Sequence, residues 1–132
     1  MKRLFMQSKI HRAVVTGADL HYVGSITLDP TLMEAAGVLP WEQVQIVDIE
    51  NGARFETYVI PGKRDTGEVQ LNGAAARLVQ PGDHVIVMSY AWLEADELES
   101  FHPTVVFVDD QNRVAEIKRL SSPLEAWTPE AA

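Results

Sequence analysis

Apolar and polar residues alternate from Leu4 to Arg12, with Leu4, Met6 and Ser8 on one side and Phe5, Gln7 and Lys9 on the other. A period of two is the signature of a strand. The β-branched run Ala13-Val14-Val15-Thr16 predicts a second strand, ended by Gly17. Val44 to Ile49 alternates again, setting Val44, Ile46 and Asp48 opposite Gln45, Val47 and Ile49. Asn51-Gly52 marks a hairpin turn, and Arg54 to Ile60 is the returning strand. On that strand Arg54, Glu56 and Tyr58 share one face while Thr57 points to the other. Val69-Gln70-Leu71 is a short strand. The apolar run His84 to Tyr90 predicts a central one. Thr104 to Val108 and Val114 to Lys118 flank Asp109-Asp110-Gln111-Asn112 as a last hairpin.

Between the strands the helical signals are short. Asp29 caps and Pro30 opens a helix that buries Leu32, Met33, Ala35 and Ala36 and ends at Gly37. Asn72 reads as the cap of a second short helix, Gly73 to Leu78. Pro61 to Gly67 is a loop and Pro81-Gly82-Asp83 a turn. The acidic stretch Leu93 to Ser100 reads as a solvated face, and 121–132 as a flexible C-terminal tail. The expected fold class is mainly β with short helices.

Composition narrows the function. The chain has 132 residues, enough for one domain, and is 46% hydrophobic. No apolar run approaches the ~20 residues of a membrane span. The N-terminal residues lack the apolar stretch of a signal peptide, so a cytoplasmic protein is expected, without a membrane role. With no cysteine, thiolate nucleophiles and Cys-ligated zinc are excluded. The formal net charge of −8 disfavours nucleic acid. It also means that an anionic substrate would need a local cationic pocket, built from only 11 Lys and Arg.

The candidate chemistry centres on Gly24-Ser25. Glycine permits backbone angles that other residues resist. A serine hydroxyl one residue downstream of its carbonyl can attack that peptide bond when the backbone is strained and the oxyanion stabilised. Gly-Ser alone is a weak signal, since most such pairs are turns. Lys9 with His11 and Arg12, taken alone, reads first as a solvated edge. Arg54 reads as one arm of a cross-strand ion pair or as a two-pronged carboxylate clamp. Tyr58 is a boundary tyrosine or, if the strand curves, a group that serves the other end of a substrate held by Arg54. Gly73-Ala74-Ala75 is a plain helix start or a set of free N–H groups open to an anion.

Several motifs in order tip these choices: Lys9-Ile10-His11-Arg12, Ala18-Asp19-Leu20-His21-Tyr22 with Gly24-Ser25, Asn51-Gly52-Ala53-Arg54, Thr57-Tyr58, Asn72-Gly73-Ala74-Ala75-Ala76 and Pro81-Gly82-Asp83. Together they resemble the pyruvoyl-dependent aspartate 1-decarboxylases over roughly Met1 to Val108. The resemblance implies a six-stranded double-psi β-barrel spanning residues 1–120. It also implies self-cleavage between Gly24 and Ser25 into chains 1–24 and 25–132, and a homotetramer. Ser25 becomes a covalent pyruvoyl cofactor that takes the amine of L-aspartate, and the products are β-alanine, for pantothenate biosynthesis, and CO2. By the same resemblance Tyr58 is the proton donor and Thr57 assists cleavage and binding. Lys9 and Arg54 hold substrate carboxylate, Asn72 orients the cofactor carbonyl, and Gly73, Ala74 and Ala75 hold substrate. No metal is implied.

Some relatives carry Trp where Val47 stands and His where Arg77 stands. Neither position belongs to the matched catalytic set. A non-catalytic double-psi barrel adaptor is the alternative reading, and a DNA-binding swapped-hairpin barrel is opposed by the charge. Whether cleavage is unaided or needs an accessory maturation protein is left open by the residues.

Overall fold

The computed structural model describes residues 1–127. Nine strands form one mixed sheet: β1 (Arg3–Val14), β2 (Gly17–Asp19), β3 (Ile26–Leu28), β4 (Gln43–Asp48), β5 (Arg54–Pro61), β6 (Val69–Asn72), β7 (His84–Leu93), β8 (Thr104–Val108) and β9 (Val114–Arg119). The helices are α1 (Pro30–Ala36) and α2 (Pro123–Trp127), with 3-10 helices at Gly73–Leu78 and Ala95–Glu97. The spatial order is β2-β6-β3-β5-β4-β7-β1-β8-β9. Three pairings are parallel, β1 with β8, β2 with β6 and β3 with β5, and each joins strands remote in the chain. The mainly β expectation holds.

The strand count is nine where six are expected, partly because β2 and β3 are separate segments of three residues each. Gly17 is a second correction. It does not break a strand over Ala13 to Thr16. β1 continues to Val14, bulging at Arg12 (φ +64), and Gly17 opens β2. Gly17 is held in the ladder by its pairing with Gln70 on β6, whose side-chain end lies against it.

The sheet is tied end to end. Thr16 N–H donates to the Val69 carbonyl (2.8 Å), and Val69 N–H donates to Thr16 Oγ1 (2.9 Å). Asn112, buried in the β8–β9 turn, completes the closure. Its Nδ2 donates to the carbonyls of Val14 and Gly67 at 2.8 Å each, while its Oδ1 accepts from Val14 N–H at 2.8 Å. A flat sheet of this order would hold β6 and β8 far apart, since neighbouring strands are ~4.8 Å apart. The bonds instead curl it around one core that includes Ile10, Ile26, Ile46, Leu71, Val87 and Val106. Helix α1 closes one side with Leu32, Met33 and Ala36. Asp29 caps it and Gly37 ends it in the left-handed conformation. The expected tail begins in packed structure, because Ser122 is buried and accepts from Glu125 N–H. The remainder of that tail, 128–132, lies outside the described residues.

The turn after β4 is gathered by Asp48. Its Oδ1 accepts from the N–H groups of Glu50 (2.9 Å) and Asn51 (3.2 Å). Its Oδ2 is buried beside the Asp83 carboxylate, with the Glu50 carboxylate in the same cluster, and a proton on Asp48 would be shared with Asp83. Burial first, and then Asp83, push the Asp48 carboxyl up to about 6. The hydrogen bond from Asp48 holds Asp83 below the usual carboxylate range.

A raised folded-state value means that Asp48 stabilises the fold when protonated, and that contribution is lost as pH rises through about 6. The depressed Asp83 contributes in the opposite sense, losing its share as pH falls below the ordinary carboxylate range. Asp48→Asn replaces the shared proton with a permanent N–H donor. The variant is expected to exceed the parent in stability at pH 7.5 by about 1–3 kcal/mol, with the difference shrinking toward pH 5. Melting curves that stay parallel from pH 5 to 7.5 would rule out the shared proton.

Candidate active site

After β2 the chain reverses on Asp19, whose Oδ1 accepts from His21 N–H at 3.0 Å. A tighter turn follows, in which Gly24 N–H donates to the Tyr22 carbonyl at 2.9 Å. Gly24 then lies at φ +49 and Ser25 at φ +83. The chain passes from surface to interior within this turn, since Val23 is 85% exposed and Ser25 1%. A non-glycine residue held there stores on the order of 1–3 kcal/mol and persists only if its surroundings over-determine it.

They do so from β6. Asn72 N–H donates to the Ser25 carbonyl at 2.9 Å. The fully buried Asn72 side chain donates from Nδ2 to Ser25 Oγ (3.1 Å) and to Thr27 Oγ1 (2.9 Å). It therefore makes no helix cap, contrary to the sequence expectation. Gly73, at φ +62, lies flat against the turn: a Cβ there would stand 2.7 Å from Gly24 N and 2.9 Å from Gly24 Cα.

Strand β5 supplies the other wall. The Tyr58 hydroxyl donates to the Val23 carbonyl at 3.4 Å and stands 3.4 Å from the place a Cβ on Gly24 would occupy. Trp41 stacks on the Tyr58 ring at 5.8 Å between centroids and 23° between planes. Its own N–H is tied to the Val59 carbonyl at 2.7 Å. Two open depressions meet at this pair. One, of about 570 Å³, is lined by His21, Tyr22, Val23, Trp41, Tyr58 and Ile60. The other, of about 410 Å³, includes Thr57 beside Tyr58.

Thus Gly24, Ser25, Tyr58, Asn72 and Gly73 converge, and Thr57 lines the adjoining depression. Ala74 is exposed and Ala75 packs against the core. Lys9 and Arg54 are not brought into contact with Ser25. Lys9 is half-buried in β1 between Met88 and Val105. Arg54 donates to Gln45 Oε1 at 3.0 Å and makes no ion pair among the described residues, so the cross-strand ion pair is not formed. Three neighbours of the site were not among the candidates: Thr27, Gln70 and Trp41. Gln70 and Thr27 carried a legible signal, standing two residues from Asn72 and from Ser25 and so on the same strand faces; Trp41 carried none.

The approach of Gly73 gives a direct test of how tightly the turn is held. Gly73→Ala should cost about 2–4 kcal/mol, combining positive φ with a backbone clash. Gly52→Ala has a similar φ of +76 but nothing within 4 Å of the new methyl, and should cost only about 1 kcal/mol. Equal denaturation midpoints for the two variants would mean that Gly73 does not buttress Gly24.

Residues 1–115 match the aspartate decarboxylase family. A relative named aspartate 1-decarboxylase from Clostridium beijerinckii is 62% identical over 117 residues, covering 89% of this chain and 94% of its own. Another of that name, from Heliobacterium modesticaldum, is 56% identical over 132 residues, covering 99% and 100%. Among solved structures the computationally designed msDPBB_sym2 protein is similar at a TM-score of 0.41 and 19% identity, over 67% of this chain and 99% of that one. That likeness is too loose to carry an argument. The match over residues 1–115 and the two near full-length relatives place this chain in the aspartate decarboxylase family.

Proposed function

We propose that this protein cleaves itself between Gly24 and Ser25 and then decarboxylates L-aspartate to β-alanine and CO2, the step that supplies pantothenate biosynthesis. Beside family membership, one observation carries the reading: a buried serine held at φ +83, its hydroxyl on the Asn72 amide, directly after a glycine at φ +49.

Cleavage uses groups already in place. Ser25 Oγ attacks the Gly24 carbonyl carbon, the C–O bond forming as the C–N bond breaks, and the nitrogen of residue 25 takes up the hydroxyl proton. Loss of the Cα proton of residue 25 expels the Gly24 carboxylate from Cβ and leaves a dehydroalanine. Water then displaces the nitrogen as ammonia, and residue 25 ends as a pyruvoyl group. Backbone strain released at Ser25 favours the first step. Thr57 is the nearby hydrogen-bonding group assigned to it.

Asn72 Nδ2, which donates to the hydroxyl at 3.1 Å, is a donor suited to a carbonyl oxygen at residue 25. A pyruvoyl there supplies an electron-accepting carbonyl for the substrate amine as CO2 departs. Tyr58 returns a proton to the α-carbon from beside Gly24. Arg54, bonded among the described residues only to a neutral amide, is free to take a carboxylate with two parallel bonds. Lys9 is the second cation, and the Gly73-Ala74-Ala75 backbone borders the substrate. No helix among the described residues is long and apolar enough to cross a membrane.

The homotetramer is supported by large apolar side chains left exposed, among them Leu4, Trp92 and Trp41. Leu4 and Trp92 face one another across β1 and β7 and line a further depression of about 500 Å³ with Tyr90.

Ser25→Ala should leave one intact chain without activity, whereas the parent, purified alone, should give two bands on a denaturing gel. A 24-residue fragment from the variant would sink the assignment. An uncut parent that is cut once cell extract is added would instead assign maturation to an accessory protein.

Tyr58→Phe should separate the two stages. Cleavage needs the Ser25 hydroxyl and no phenol, so two chains and a pyruvoyl should be present by mass spectrometry. Turnover of aspartate should fall by about 10²–10⁴, the usual worth of one positioned acid. Turnover at the parent rate would remove Tyr58 from the role and direct attention to Tyr22, which lines the same depression.

A further inference from the structure

The direction of the Asn72 amide is not decided by the groups it serves. Nδ2 donates to two hydroxyls, Ser25 Oγ and Thr27 Oγ1. A hydroxyl donates as readily as it accepts. Turned by half a revolution, the amide would present Oδ1 to the same two hydroxyls and lose nothing there. On its other side Gln70 Nε2 donates to Asn72 Oδ1 at 2.9 Å, so the two amides turn only as a pair, and an acceptor-only group at residue 25 would hold the pair in this direction.

The Oε1 end of Gln70 lies over residue 17, where glycine leaves it open space. A Cβ on Gly17 would stand 2.9 Å from Gln70 Oε1 and 3.4 Å from its Cδ and Cγ. Gly17 does not have a positive φ, so its conformation does not call for glycine. Its smallness serves the paired strand, where Gly17 sits opposite Gln70 and Asp19 opposite Asn72.

We propose that Gln70 is a positioning residue: it fixes the Asn72 amide with its N–H2 toward residue 25, and the missing side chain of Gly17 seats it. The inference rests on the pyruvoyl reading above, because that reading makes the choice matter. A serine hydroxyl tolerates either end of an amide, but a ketone oxygen only accepts. With N–H2 toward residue 25 the carbonyl is polarised. With Oδ1 toward it, two acceptors would face each other and the electron-accepting step would lose its donor.

Two substitutions separate this role from packing. Gln70→Glu is nearly isosteric, but an ionised carboxylate only accepts, so it draws Asn72 Nδ2 toward itself and turns Oδ1 to residue 25. Gln70→Leu fills similar space and leaves the amide undecided. Packing alone predicts that Glu is the milder change, whereas the positioning role predicts the reverse. Turnover of aspartate per pyruvoyl, with the pyruvoyl counted by mass spectrometry, should fall about 10-fold for Leu and about 100-fold for Glu. The larger figure is the lower end of what losing one such donor costs. Acid should partly restore the Glu variant, since a protonated carboxyl donates to Oδ1 again, and should not restore Leu. Gly17→Ala should slow the parent by displacing Gln70, and change nothing further in a Gln70→Ala background.

A second readout needs no catalysis. In the uncleaved Ser25→Ala chain, NMR cross-relaxation from the Asn72 side-chain amide protons to Thr27 should be present with Gln70 and absent with Glu at neutral pH. Glu turnover equal to the parent, or amide signals unmoved by Gln70→Glu, overturns the inference while leaving the decarboxylase reading intact. A parent that neither cleaves nor consumes aspartate overturns that reading instead, and the amide signals still decide whether Gln70 orients Asn72.

Discussion

Closure of the sheet on Asn112 is the constraint from which the site hangs. Three bonds of 2.8 Å from one buried side chain join the end of β1, the β8–β9 turn and Gly67. Gly67 lies just before β6, whose first residue is bonded to Thr16 and whose last is Asn72. A strand fixed at its entry by two sets of bonds has little freedom at its exit three residues on. Asn72 can then bond Ser25 at 2.9 and 3.1 Å, and Gly73 can lie so close to Gly24 that no Cβ would fit between them. Such bonds contribute only ~1 kcal/mol each in net terms. Leaving buried Asn112 or Asn72 without partners would cost more than that, and this asymmetry gives the closure its all-or-none character.

The strained pair and the rigid frame are two parts of one device. A serine at positive φ relaxes in a flexible loop, because its neighbours move with it. Here Ser25 is held at both its carbonyl and its hydroxyl by Asn72, and Gly24 is pressed by Gly73 and roofed by Tyr58. Trp41 stiffens the roof from outside by stacking on Tyr58. In the proposed reaction the frame outlasts the bond it strains, and the same walls then border the new group at residue 25.

The strands were legible because period-two alternation is written by burial, which is local to each strand. Val44, Ile46 and Asp48 are buried and Gln45 and Val47 are not fully so, as the alternation requires. Helix α1 was legible because Asp29, Pro30 and Gly37 each do one conformational task. Gly17 was misread because a glycine's reason can lie on another strand, and no local pattern announces that the end of the Gln70 side chain lies against it. Asn72 was misread as a cap for a related reason: its buried partners, Ser25 and Thr27, are remote in the chain. The site residues Gly24, Ser25, Tyr58 and Asn72 came from motif resemblance, and periodicity alone would have left Tyr58 a boundary ring. Trp41 carried no signal, since stacking between β5 and the loop before β4 depends on the folded path.

Charge sets the last condition on the proposed chemistry. At −8 the protein repels a dicarboxylate at long range, and the repulsion fades within a Debye length of ~8 Å at physiological salt. Capture must therefore be local and strong, which favours a guanidinium that no protein carboxylate has already neutralised. Four ion pairs occur among the described residues, and none uses Lys9 or Arg54. Arg64, by contrast, is bound by Glu34 through both of its terminal nitrogens at 2.8 Å, and its charge is already answered. An arginine resting on the neutral Gln45 side chain exchanges one hydrogen bond for two charge-assisted ones when a carboxylate arrives, so binding costs little in broken contacts. The chain's few cations are thus divided between those that hold the fold and those left open, and Arg54 belongs to the second group.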